Sequence, residues 1–172
     1  MRRTTPMFRT IADFVTEYTN ESKTTQRVMD TLTDASLAQK ITPELRSLGQ
    51  LGWHIGTTIH EMISRTGLEF AAPEGEEHAP ASALTIADTY RTSAAAAIDA
   101  IQSQWTDAKL SESSDMYGEQ WLNGLTLRIF LSHEIHHRGE MIVLMRQAGL
   151  RVPDIYGPTR EDWIERGMEP LV

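Results

Sequence analysis

Apolar residues return along this chain in steps of three and four, the period of helices that bury one face. Phe8, Ile11, Val15, Tyr18, Val28 and Leu32 mark a first stripe, with a polar interruption at Glu21–Thr24. Thr5 followed by Pro6 reads as its start, an N-cap oxygen and then the residue favoured at the first helical position. Leu45, Leu48, Leu51, Ile55, Ile59 and Met62 form a second stripe, opened by Thr42–Pro43 and closed by Gly67. Ile86, Tyr90, Ala94, Ala97, Ile101 and Trp105 form a third, for which Thr85 and Asp88 read as a capping box. Ser111 to Asp115 reads as a polar connection to the fourth and longest helix, from Tyr117 to Ala148, with Gly149 ending it. Trp121, Leu122, Leu125, Ile129, Val143 and Leu144 mark its buried side. Pro153 and Gly157–Pro158 are turn signals, after which Thr159 and Asp162 cap a last short helix carrying Trp163. No strand-like alternation of useful length is visible. The pattern predicts an all-α fold with residues 1–172 as one domain: a four-helix bundle, a short C-terminal helix, and one long loop between helices two and three.

That loop, Gly67 to Ser82, carries Pro73, Gly75 and Pro80 among Glu74, Glu76 and Glu77. It is longer than a connection needs, which suits either a lid or a solvated acidic link.

Composition narrows the chemistry. The 172 residues carry a net charge of −8, against the basic footprint that nucleic acid demands. There is no cysteine, which removes disulfides, thiolate ligands and cysteine nucleophiles together. Any metal must sit on His and carboxylate. Arg2–Arg3 is followed by no apolar signal core, and no apolar run approaches the roughly 20 residues that span a bilayer. The expectation is a soluble cytoplasmic protein.

The six histidines are His54, His60, His78, His133, His136 and His137. His133 and His137 are about 40° apart around a helix and about 6 Å apart along it, so both imidazoles can reach one cation. They lie in an apolar flank between Phe130 and Met141, where a polar pair needs a partner. His54 borders the core-facing stripe of helix two and can complete a three-imidazole site with an open position, as a catalytic metal keeps. Spacing leaves His136 open, since an i, i+3 pair also chelates. His60 sits about 240° around from His54 and reads as a solvent or interface residue. His78 reaches a site only if its loop closes. Glu61, Glu134 and Glu140 are near enough in sequence to orient ligands. Gly49, Gly52 and Gly56 share a stripe on helix two, which calls for close approach of another helix or a second subunit.

Trp53–His54, Thr66–Gly67–Leu68, the run from His133 to Gly139, and the stretch from Met145 to Pro158 resemble the DinB family of bacterial four-helix proteins. The likeness is dense over residues 45–70 and 117–165 and thin in helix one and the Pro73–Pro80 loop. It implies a bundle holding a divalent metal on His54, His133 and His137, with His136 a non-ligand, and a homodimer. Three imidazoles suit Zn, Ni, Fe or Cu, with Zn, Ni or Fe the leading candidates. Relatives implied by the resemblance include metal-dependent thiol S-transferases and a thiol-dependent maleylpyruvate isomerase. The expected activity is transfer or related hydrolysis or isomerisation, with an external small-molecule thiol and an electrophile as substrates. Glu61 and Glu140 are the candidates for handling a proton, and Arg138 for meeting an anionic substrate or forming a structural ion pair. The alternative is a non-enzymatic, stress-associated protein whose metal holds the helices together. The family often reads His–Arg–Gly–Gln where this chain has Glu140.

Overall fold

The computed structural model describes residues 8–75 and 78–170. Its elements are α1 (Ile11–Asp30), α2 (Leu48–Ile63), α3 (Ala83–Gln104), β1 (Ser113–Met116), β2 (Glu119–Leu122), α4 (Asn123–Gln147) and α5 (Arg160–Glu165), with three short 3-10 turns between them. The four long helices form the expected bundle. α1 packs on α3, α3 on α2, α2 on α4 and α4 on α1, so α2 and α4 are neighbours. Tyr18, Ile59, Ile101, Leu127 and Leu131, drawn from all four, lie in one continuous apolar core. No helix among the described residues is long and apolar enough to cross a membrane.

Helix starts differ from the expected ones, each for a local reason. Thr5–Pro6 lies outside the described residues, and the true cap of α1 is Thr10. Its hydroxyl accepts from the Asp13 amide at 3.0 Å, and the Asp13 carboxylate accepts from the Thr10 amide at 3.0 Å. Thr42–Pro43 does not open α2; Ser47 does, in a reciprocal box with Gln50. Leu45 consequently lies outside the helix and is exposed. For α3 the cap is Ser82 rather than Thr85, whose amide it accepts at 3.2 Å. Thr159 caps α5 with Asp162 as expected, and Gly67, at φ +85°, ends the turn after α2.

The largest correction is at α4. Residues 113–122 form an antiparallel hairpin, with Met116 opposite Glu119, and the helix starts at Asn123 rather than Tyr117. Tyr117 and Gly118 both have positive φ, 60° and 86°. Positive φ at both positions is what a two-residue hairpin turn of matching twist requires, and no helix can continue through it. Among the strand residues only Met116 is fully buried and the rest are half-buried or exposed, so no alternation announces them. Of the residues assigned to the buried side of this helix, Leu125 and Val143 are in fact exposed.

The glycine stripe is used within the chain. A side chain at Gly52 would meet Ile86 of α3 at 3.0 Å, one at Gly49 would meet Leu37 at 3.0 Å, and Gly56 faces the Tyr90 backbone at 3.6 Å. The stripe therefore seats α3 and the segment after α1, and it lends no support to a second subunit.

Candidate metal centre

α2 and α4 bring His54, His133 and His137 together at their interface, 79 residues apart in sequence at the His54–His133 contact. The His133 Nε2 atom lies 3.2 Å from His54 Nε2 and 3.1 Å from His137 Nε2. With metal–nitrogen bonds of about 2.0–2.1 Å, such separations subtend roughly 100° at a shared cation. That angle lies between the tetrahedral and octahedral values, so both contacts fit a divalent ion of either geometry, and the ligand atoms of all three rings lie within 4.8 Å of one another.

The protonation of the rings fits as well. His137 Nδ1 sits 2.6 Å from Glu140 Oε2. A carboxylate can only accept, so Nδ1 carries a proton, and Nε2 is the ring atom that faces His133. His54 Nδ1 lies 3.3 Å from the Thr58 hydroxyl, which can accept in the same way. Burial, then the Arg46 charge and the neighbouring histidines, lowers His54 to about 4. Burial, then His137, His136 and Arg46, lowers His133 to about 4. Both are neutral at pH 7. Lone pairs converging at this range repel one another unless a proton or a metal cation stands between them.

His136 points away from the trio. Its side chain is 66% exposed, and it stands 3.5 Å from Glu140. With His137 and Glu140 it makes a second, more open grouping that shares His137. The His60 ring packs edge-on against Phe70, and His78 is exposed in its loop. Neither belongs to the trio.

The carboxylates divide by direction. Glu140 orients His137, which makes it a positioning group. Glu61 accepts from Arg65 at 2.8 Å and from the Tyr117 hydroxyl at 2.8 Å, and so braces the hairpin tip against α2. Burial, then that bond to Glu61, lifts Tyr117 to about 12. Glu134, one residue past His133, is turned about 100° into the bundle and cannot orient a ligand. There it accepts from Thr25 at 2.7 Å and from Tyr90 at 2.8 Å, and burial raises its pKa. Arg138 is 1% exposed and is a structural ion pair: it donates to Glu21 Oε2 at 2.6 Å and to Thr25 at 3.0 Å, and it also contacts the Tyr156 hydroxyl. It is not placed to meet a substrate.

A model of the DinB family matches residues 7–168. The chain belongs to the DinB family. It is similar to the uncharacterised protein YrdA of Bacillus subtilis (strain 168), 43% identical over 163 residues, or 95% of this chain and 98% of that one. A crystal structure of a DinB-like protein from Bacillus cereus ATCC 10987 matches with a TM-score of 0.84 at 45% identity. It covers 87% of this chain and all of that one. The DinB-like protein YjoA of Bacillus subtilis matches over 83% of this chain and 97% of its own, with a TM-score of 0.66. At 17% identity, that likeness concerns the fold alone.

Sequence reasoning did not single out Arg46 or the polar cluster around Glu134. Arg46 lies before α2, outside any helical period that would tie it to His54. Tyr18 and Tyr90 read as ordinary members of apolar stripes, and only their hydroxyls mark the buried acid between them.

Proposed function

We propose that this DinB protein is a divalent-metal-dependent enzyme, and that its chemistry is S-transfer from an external small-molecule thiol to an electrophile. The observation that carries the reading is the trio of imidazoles whose Nε2 atoms converge from α2 and α4. Structural zinc sites fill four positions with protein ligands, whereas three ligands leave a position for a substrate. Among the described residues the grouping contains three ligands and no fourth.

His54, His133 and His137 would hold the cation. When bound, it supplies positive charge that favours thiolate over thiol and so activates a sulfur nucleophile at neutral pH. The chain has no cysteine, so the sulfur must come from outside. Glu140 keeps the His137 proton on Nδ1 and so keeps the ligand lone pair on Nε2. Thr58 stands where it can do the same for His54.

The test is metal content by mass spectrometry on untagged protein, beside a His133→Ala/His137→Ala double variant. About one Zn, Ni or Fe per chain is expected, lost in a variant that still folds. Thiol consumption is then followed with glutathione or cysteine and chlorodinitrobenzene, before and after chelation. No metal after incubation with Zn or Ni would sink the reading. Metal whose removal unfolds the protein, with no thiol transfer when loaded, would make the ion a helix tie instead.

A further inference from the structure

Beside the trio lies a cavity of about 240 Å³. Ile41, Leu45, Leu51, Val143 and Leu144 give it apolar walls. Three of these are unusually exposed for their type: Ile41 at 60%, Leu45 at 52% and Val143 at 50%. A wall of aliphatic side chains left in water marks a surface kept for a ligand. Two charged groups, Arg46 and Glu140, also line the cavity, together with the His137 ring.

The charges are not equivalent. Glu140 is engaged by the Nδ1 proton of His137. Arg46 is exposed and ion-pairs with none of the described carboxylates. An arginine without a carboxylate partner, at an apolar cleft, presents a planar fork of donors matched to a carboxylate or similar oxyanion. Neutral histidines add no negative charge that would oppose an anion.

We infer that this cleft takes a small amphiphilic acid, its carboxylate on Arg46 and its apolar body against Ile41, Leu45 and Val143, next to His137. The substrate class follows: an electrophile bearing an apolar chain or ring and one acidic group. This rests on the metalloenzyme reading for its catalytic meaning, but the subsite itself is built from residues outside the ligand trio. Hexanoate, a short apolar chain with one carboxylate, is the simplest molecule of this chemistry.

The experiment is binding of hexanoate, hexan-1-ol and hexylamine, read by calorimetry or ligand-observed NMR. Both zinc-loaded and chelator-treated protein are used, each as wild type and as Arg46→Met. Methionine keeps the aliphatic stem and removes the charge, and the exposure of Arg46 predicts no loss of folding, which circular dichroism checks. Hexanoate is expected to bind at least tenfold more tightly than the alcohol or the amine. Arg46→Met should abolish that preference, and removing zinc should leave it. Val143→Asp, at an exposed position, should weaken hexanoate binding by a similar factor. No preference for the acid, an unchanged preference in Arg46→Met, or loss of binding on removing zinc would each overturn the assignment. The last would place the carboxylate on the metal. Metal content is measured on the same samples, so a chain that binds hexanoate but no metal refutes the enzyme reading and keeps the subsite.

Discussion

Glu140 shows how one side chain sets the chemistry of its neighbour. Its carboxylate accepts the Nδ1–H of His137 at 2.6 Å, which leaves Nε2 as the atom whose lone pair a cation would take. A negative acceptor also makes that lone pair more basic than a neutral one would. Glu140→Gln keeps an oxygen acceptor and removes the charge. Zinc affinity should fall by about tenfold or somewhat more, with thermal stability unchanged, because the side chain is 45% exposed. A competitive chelator titration checks this, and an unchanged affinity would leave Glu140 with no role at the centre. The clustering of His133 and His137 was legible in the sequence because a four-residue step on one helix fixes two rings on one face. The fate of the other polar residues was not. Glu134 and Arg138 differ from His133 and His137 by one position each, and only the packing of α1 and α3 decides that these faces are dry.

At the scale of the element, α2 is a helix that trades side chains for proximity. Gly52 leaves only 3.0 Å between a would-be Cβ and Ile86, with Met29 and Met141 at 3.4 and 3.5 Å. Gly52→Val should therefore push α3 away and cost about 1–3 kcal/mol by overpacking, read as a lower urea midpoint. A midpoint equal to or above the parent's would show that the interface has slack. The four helices were visible as stripes, because burial of one face against two neighbouring helices demands periodicity. The hairpin was not, because its strands bury little and are held by contacts distant in sequence. Tyr117 takes positive φ at a cost of about 1–2 kcal/mol, offset by its hydroxyl bond to Glu61 and by the Arg65 guanidinium 4.6 Å above its ring.

At the scale of the whole molecule, the two depressed histidines make the metal-free protein sensitive to acid. Folded His54 and His133 take up a proton only near pH 4, against an ordinary value of 6.5. Between those values the unfolded chain binds more protons, so stability rises with pH there. Their contribution is complete above about pH 6.5 and is lost as pH falls toward 4. Glu134 works the other way, since its raised pKa favours folding at low pH. In a Glu134→Gln background the chelator-treated protein should show a lower urea midpoint at pH 5 than at pH 7. Equal midpoints would mean that the trio is solvated enough to titrate normally.

α4 is a partition with a different chemistry on each side. His133, His137 and Glu140 look toward α2, while Glu134 and Arg138 look toward α1 and α3. The hairpin sets the phase of that partition by deciding where the first turn starts. One residue inserted between Asn123 and Ser132 would rotate everything after it by about 100°. His136 would then inherit the place of His137, but Ser132 would inherit that of His133, and two imidazoles would enter the dry side in place of the acid and the arginine. The helix can be lengthened without harm only in whole turns, so the ten-residue hairpin ahead of it acts as the index mark against which the centre is aligned.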